Sequence, residues 1–300
     1  MSGARAGRSI EAQRTLARRV LVLPTGLFVV VTCLLPLALL FTYSFYRVDF
    51  VTIIKEPTLA NYWAVVASPT YRKLIAKALL YGGGIAALTA VIAYPLAFFI
   101  AKRVRVYKAA LLTAMLVPLY TGDLIRIFAW RVVLGAEGVL NSFLQWAGIT
   151  SQPIWALLFS PFATIVVLTY NYLPFMVIAL WASLEALDQA YVEAAMDLGA
   201  SRTQVFLKVV LPLTSPGLVA GLLMVLVLVA GDYLTPQLVG GSSGVTITSA
   251  VHDMFGAAFD WPLGSALAWS LLAALATVVA GAVYAFARSP WGRGLILRGG

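Results

Sequence analysis

Six apolar runs of membrane-spanning length constrain this chain more than any other feature of its sequence. They cover approximately Val20–Tyr46, Leu74–Ala101, Ala109–Val133, Pro161–Ser183, Val209–Gly231 and Gly264–Ala287. A helix needs about 20 apolar residues to cross the hydrocarbon core of a bilayer, and each run is long enough. Because 61% of the 300 residues are hydrophobic and only 11% are charged, the sequence predicts an all-α integral membrane protein with six transmembrane helices.

The distribution of lysine and arginine predicts how the chain is oriented. Positive residues are retained on the cytoplasmic side of a membrane. With both termini inside, the inner segments hold 14 of the 21 positive residues: Arg5, Arg8, Arg14, Arg18, Arg19, Lys102, Arg103, Arg105, Lys108, Arg202, Lys208, Arg288, Arg293 and Arg298. We therefore expect a cytoplasmic segment at 1–19, a membrane domain at 20–287 and a cytoplasmic tail at 288–300. Anionic membrane lipid explains the net charge of +9, with no need for a nucleic-acid partner.

A polar insert at 187–212 separates the fourth and fifth spans and is expected to face the cytoplasm. Its apolar positions from Leu187 to Leu198 recur at three and four residues, which predicts one short amphipathic helix. Gly199 ends that helix at a turn. A second helical run follows, and we expect Pro212 to interrupt it.

The insert resembles the cytoplasmic signature loop of ATP-binding-cassette (ABC) importer permeases. The matching positions are Glu193-Ala194-Ala195, Gly199, Val209 and Leu211-Pro212, with valine at 209 where the family often has isoleucine. The resemblance implies a coupling helix that docks in a groove of a separate ATPase subunit. The residues expected to couple are Glu193, Ala194, Ala195, Asp197, Gly199, Leu211 and Pro212.

Four further motifs are similar to those of spermidine/putrescine importer permeases, specifically the first of their two permease subunits. They are Leu59-Ala60-Asn61-Tyr62, Ala93-Tyr94-Pro95-Leu96-Ala97, the run from Val117 to Trp130, and Trp261-Pro262-Leu263-Gly264-Ser265-Ala266. This resemblance implies the type I ABC importer architecture in a bacterial inner membrane. It also implies a second, different permease, two copies of an ATPase that uses ATP and magnesium, and an external substrate-binding protein. The same family includes importers of other organic cations and of amino-acid-like solutes.

Asp123 is the strongest single candidate for the substrate pathway. Placing an ionisable group inside a membrane span costs free energy, and such a group usually faces the interior of the helix bundle. A carboxylate complements a cationic solute such as a polyamine. Arg126 follows at i+3, however, and could instead neutralise Asp123 as a structural ion pair. We favour the structural interpretation.

Weaker candidates for the pathway are polar and aromatic residues of three spans. Trp130 belongs to the same motif as Asp123, while Tyr170 and Asn171 lie midway through the fourth span. Asn171 is more readily explained as a bridge between helices than as a solute ligand. Asp232 and Tyr233 close the fifth span, where they could offer a carboxylate and an aromatic face to a cation, or serve as ordinary interface anchors.

The sequence gives no support for catalysis by this chain. His252 is the only histidine and has no metal-ligand companions. A phosphate-binding Gly-x-x-x-x-Gly-Lys-Ser/Thr loop is absent, because no glycine is followed by lysine. We therefore expect a transport subunit without a bound cofactor, metal or ATPase site of its own. The rival hypotheses are a secondary transporter or channel, and a purely structural membrane subunit.

Overall fold

The computed structural model describes residues 24, 26–50 and 52–296. The predicted cytoplasmic segment 1–19, the start of the first span and the last four residues of the tail lie outside these residues. The described chain is helical apart from a short antiparallel hairpin, β1 (Arg47–Asp49) and β2 (Thr52–Ile54), in which Arg47 pairs with Ile54.

Thirteen helices cover the rest of the described chain. They are α1 (Gly26–Tyr43), α2 (Ala60–Ala67), α3 (Pro69–Lys102), α4 (Lys108–Tyr120), α5 (Asp123–Leu134), α6 (Val139–Trp146), α7 (Pro161–Glu185), α8 (Gln189–Asp197), α9 (Arg202–Gly231), α10 (Leu234–Val239), α11 (Ile247–Phe255), α12 (Trp261–Arg288) and α13 (Pro290–Ile296). Single 3₁₀ turns lie at Trp155–Leu157 and Gly241–Gly244.

Six stretches of the described residues are long and apolar enough to cross a membrane. They are Gly26–Tyr43, Pro69–Lys102, Asp123–Trp146, Pro161–Glu185, Arg202–Gly231 and Trp261–Arg288. The prediction of an all-α membrane protein with six spans is confirmed. Five of the six stretches also coincide with the predicted runs.

The third predicted span, Ala109–Val133, was wrong as a single helix. The chain breaks at Thr121 and Gly122, whose backbones are extended (ψ of 126° and 149°), and so forms α4 with 13 residues and α5 with 12. Thr121 satisfies the carbonyl of Pro118, in the last turn of α4, through both its N–H (3.2 Å) and its hydroxyl (2.7 Å). The third stretch of spanning length is instead made by α5 and α6 together.

Helices α3, α7 and α9 pack against one another as the core of the molecule. Ala93, Met176 and Val225, one from each helix, are fully buried. Helices α7 and α9 approach closely at Gly217, where an added Cβ would lie 2.1 Å from Ser183 Oγ. Small residues let membrane helices approach this closely and gain dispersion contacts.

Helix α1 lies outside that core, whereas α12 borders it and contributes the buried side chains of Leu267, Leu271 and Leu275. Helix α12 packs against α1, α2 and α11. Phe41 of α1 contacts Trp269 of α12 with ring centroids 5.0 Å apart, yet α1 has no buried residue. Because α1 is apolar and almost wholly exposed, its surface suits lipid or another membrane subunit.

Candidate functional site

Local backbone chemistry defines both ends of the predicted coupling helix, α8. The Asp188 carboxylate caps its N-terminus by accepting a hydrogen bond from the N–H of Ala190 at 3.0 Å. At the other end Gly199 adopts a φ of +82°, and the N–H of Ala200 bonds to the carbonyl of Ala195 at 3.1 Å. This left-handed C-terminal turn favours glycine over other residues. The helix and its glycine stop are therefore both present where the sequence predicted them.

One face of α8 packs on the core and the other is exposed. Val192 and Ala195 are half-buried against the core helices. Glu193, Ala194 and Asp197 are exposed on the opposite face. Leu198, just beyond the helix, is 89% exposed. A small exposed surface that combines two carboxylates, an alanine and a bare leucine is suited to contact with another protein.

Two lysines hold α8 in place relative to the membrane helices. Lys102, at the end of α3, donates a 3.0 Å hydrogen bond to the carbonyl of Leu187. Lys108, at the start of α4, forms an ion pair with Glu185 at 2.6 Å. The short basic loop between these lysines is therefore fastened to the segment that leads into α8.

Beyond the turn, the chain enters α9 without the predicted interruption at Pro212. Ser201 and Gln204 begin this helix with a reciprocal capping box. A π-helical turn follows at Phe206–Val210, closed by the N–H of Leu211 bonding to the carbonyl of Phe206. The extra residue in that turn accommodates the proline, which lacks an N–H and crowds the preceding turn. Leu211 and Pro212 are half-buried within one continuous helix.

Asp123 begins α5 and forms an ion pair with Arg126. The Asp123 side chain is 64% exposed, whereas that of Arg126 is only 10% exposed. Arg126 lines a cavity of about 160 Å³ together with Tyr170 and Asn171. Arg126 Nε and Asn171 Oδ1 are buried there without a hydrogen-bond partner among the described residues. The cavity is therefore lined by two residues that each keep a buried polar atom without a partner, whereas Asp123 is not among its lining residues.

The aromatic candidates divide between two places. Trp130 meets Tyr170 edge-to-face, with ring centroids 5.4 Å apart, beside the Arg126 cavity. Tyr233 instead stacks on His252 at 4.7 Å. The structure therefore brings together Asp123, Trp130, Tyr170 and Asn171, and separates Tyr233 from them.

Asp232 is held by three hydrogen bonds at the start of α10. It accepts from the hydroxyl of Tyr172 at 3.1 Å, and from the N–H and hydroxyl of Thr235 at 3.0 Å and 2.8 Å. Such a carboxylate is already solvated by the protein, which lowers its need for an external cation. Its geometry is that of a cap which also ties α7 to the end of α9.

Two residues near these candidates were not singled out from the sequence. Lys77 donates to the carbonyls of Ser243 (2.5 Å) and Val245 (2.7 Å), and it lines a small cavity with Asp232. Tyr172 links α7 to Asp232. Lys77 could have been found from the sequence, because it is a lysine inside a long apolar run. The contact of Tyr172 could not, because its partner lies 60 residues away and no local pattern indicates it.

Comparison with known proteins decides the class. Residues 11–289 match the family described as binding-protein-dependent transport system inner membrane component. The chain belongs to this family. It is therefore a multi-pass inner-membrane permease of the ABC importer class, and the family match extends over the capped helix α8 and the turn at Gly199.

Relatives within this family include permeases named for polyamine transport. The chain is 36% identical over 238 residues to the spermidine/putrescine transport system permease protein PotB of Escherichia coli, covering 79% of this chain and 86% of that protein. It is 34% identical over 246 residues to the PotB protein of Haemophilus influenzae, covering 82% and 86% respectively. A chain of a crystallised bacterial alginate ABC transporter, bound to its periplasmic protein, superposes with a TM-score of 0.74 at 18% identity over 93% of this chain and 96% of that chain. That likeness confirms the fold of an importer permease.

Proposed function

We propose that this permease forms half of the pathway for a small cationic solute, a polyamine of the spermidine or putrescine type. The single observation that carries the proposal is the 36% identity to a spermidine/putrescine permease over 79% of the chain. Its working assembly would contain a second, different permease, two ATPase subunits and an external binding protein. ATP and magnesium would be used by the ATPase subunits, and both termini of this chain would be cytoplasmic.

In this proposal the loop at 187–212 receives the force of ATP binding. Closure of the ATPases would displace the exposed face of α8, which carries Glu193 and Asp197. Because Gly199 turns the chain directly into α9, and α7 leads directly into α8, this displacement would tilt both core helices. Such coupling requires that α8 contact the ATPase differently in its two states.

The arrangement of charges bears on how the cation would pass. In the described part of the chain, Asp123 is paired with Arg126, and Asp232 accepts hydrogen bonds from Tyr172 and Thr235. Both carboxylates therefore already have partners within this subunit. We infer that this subunit offers aromatic faces, such as those of Trp130 and Tyr170, and that any free carboxylate in the pathway comes from the second permease.

A second candidate solute has an observation in its favour. Arg126 and Asn171 both line one cavity, and the Nε of the first and the Oδ1 of the second are buried without a hydrogen-bond partner among the described residues. A donor beside an acceptor suits the carboxylate and the ammonium of an amino-acid-like solute. This alternative keeps the ABC importer class and changes only the transported solute.

Competition for uptake separates the two solutes. Cells that lack other polyamine importers and carry the complete importer would be given radiolabelled spermidine or putrescine, with excess unlabelled amino acids or quaternary amines as competitors. We expect uptake that depends on this chain and is displaced only by polyamines. Uptake that is absent, or that is abolished by an amino acid, would refute the polyamine assignment.

A further inference from the structure

A groove with a volume of about 750 Å³ lies beside the coupling helix, on the face predicted to be cytoplasmic. The loop after α3, one side of α8 and the first turns of α9 form its walls. Its floor is apolar and includes Val192, Val205 and Val210, whereas its rim is polar. The groove is distinct from the Arg126 cavity, which lies between α4, α5 and α7.

The rim of this groove carries an excess of positive charge. It is lined by Lys102, Arg103, Arg105 and Arg202, with Glu193 as the single carboxylate. Lys102 is engaged with the carbonyl of Leu187. Among the described residues, the side chains of Arg103, Arg105 and Arg202 have neither an ion pair nor a hydrogen bond. Like charges gathered at one edge repel one another, so an anion bound among them would be stabilised.

The groove continues as an apolar channel between α3 and α9. This second part has a volume of about 590 Å³ and shares Phe98 and Phe206 with the first. Its remaining lining residues are Ala90, Val91, Tyr94, Pro95, Leu211 and Leu218. The hydroxyl of Tyr94 is bonded to Thr214 at 2.7 Å, so the polar atom of that side chain is already satisfied inside the protein.

The length of the combined groove matches one leaflet of a bilayer. From Lys102 to Ala90, helix α3 rises about 18 Å at about 1.5 Å per residue. Half of a hydrocarbon core about 30 Å thick is about 15 Å. A molecule that fills the whole groove must therefore have an anionic head at the membrane surface and an apolar chain that reaches to mid-membrane depth.

We propose that this groove binds one anionic phospholipid of the cytoplasmic leaflet. Arg103, Arg105 and Arg202 hold the headgroup phosphate, and an acyl chain lies along Val91, Pro95 and Leu218. An acidic surface of the partner ATPase would match the rim but could not enter the apolar part at membrane depth. Since Glu193, Gln189 and Met196 of α8 line the same groove, the lipid sits against the coupling helix. The proposal does not depend on which solute is carried.

Lipid retention tests the headgroup contacts. The full-length permease, with its partner subunits, is reconstituted in nanodiscs of equimolar phosphatidylglycerol and phosphatidylcholine, extracted, and weighed by native mass spectrometry. We expect one phosphatidylglycerol to be retained in preference to phosphatidylcholine, and each of Arg103→Gln and Arg202→Gln to lower that retention roughly fivefold. Lys208→Gln is the matched control, because Lys208 is an exposed cation of the same helix, α9, that does not line the groove; it should retain the lipid as the wild type does.

A second variant tests the proposed contact with the acyl chain, and it distinguishes binding of a lipid from binding of a free anion. Val91 is 72% exposed, so Val91→Trp should fill the apolar channel without disturbing the core, and we expect it to abolish retention with the arginines intact. Excess inorganic phosphate should not displace the lipid. Equal retention of both lipids by the wild type, retention unaffected by the arginine changes, or displacement by phosphate alone would overturn the proposal. So would lipid retention by the permease pair alone that is lost in the complete complex with the ATPase subunits, which would assign the rim to them.

Discussion

The two carboxylates proposed for the substrate pathway both have partners within the fold. Asp123 is paired with Arg126, and Asp232 accepts three hydrogen bonds. The first pairing was the interpretation favoured from sequence, since i+3 spacing places two side chains on one face of a helix. The bond from Tyr172 to Asp232 was not foreseeable, because it depends on how α7 packs against the end of α9.

The Asp123–Arg126 pair leads to a prediction about solute affinity. Asp123→Asn leaves the Arg126 guanidinium, which is only 10% exposed, without its counter-charge, so the loss in unfolding free energy should exceed the roughly 1 kcal/mol of an exposed surface pair. We expect a clear fall in thermal stability in detergent with an unchanged KM for uptake. The double variant Asp123→Asn/Arg126→Gln should regain the stability. A large rise in KM that persists in the double variant would show instead that Asp123 contacts the solute.

Gly199 supports a second prediction at this scale. Its φ of +82° is the reason for glycine there, because no atom lies within 4 Å of an added Cβ. A side chain in this left-handed conformation costs about 1–2 kcal/mol, least for asparagine. Gly199→Val should therefore lose most uptake while the protein stays in the membrane, and Gly199→Asn should retain a larger part of it. Equal uptake by the wild type and Gly199→Val would contradict the role of this turn.

At the level of secondary-structure elements, hydropathy predicted the membrane spans but did not predict where a helix is interrupted. Five predicted runs coincide with helices because a stretch of about 20 apolar residues has few alternatives to spanning a membrane. Two prolines within predicted helical segments had opposite effects on helix continuity. Pro118 lies one turn from Gly122 and the helix ends, whereas Pro212 is accommodated by a π-helical turn and the helix continues. The outcome depended on the residues and contacts around each proline.

The contact between α7 and α9 carries a prediction about stability. A Cβ at Gly217 would meet Ser183 Oγ at 2.1 Å and the carbonyl of Ala179 at 2.6 Å. Gly217→Ala must therefore push two core helices apart, at a cost of about 1–3 kcal/mol. Gly84→Ala is the control, since no atom lies within 4 Å of its added Cβ. We expect a lower melting temperature for the first variant alone; identical melting curves for both would show that the helices are not packed this closely.

For the whole molecule, the class of protein and the resemblance to polyamine permeases were accessible from sequence motifs, whereas the residues of the solute pathway were not. Glu193, Gly199 and Leu211-Pro212 lie at fixed spacing in a loop whose helix, turn and exposed face the structure confirms. These features serve coupling and carry no information about the solute. Residues of the pathway are few, already paired in part, and completed by a second permease in the proposed assembly, so one chain does not define the cavity that a solute occupies.

Dependence of uptake on ATP tests the central claim most directly. Proteoliposomes would contain this permease, its partner permease and the binding protein, with or without the ATPase subunits, and uptake of radiolabelled spermidine would be followed after ATP and magnesium are supplied to the ATPase side. The account predicts uptake only when the ATPase and ATP are both present. Uptake at the same rate in proteoliposomes without the ATPase would contradict it and indicate a self-sufficient secondary transporter.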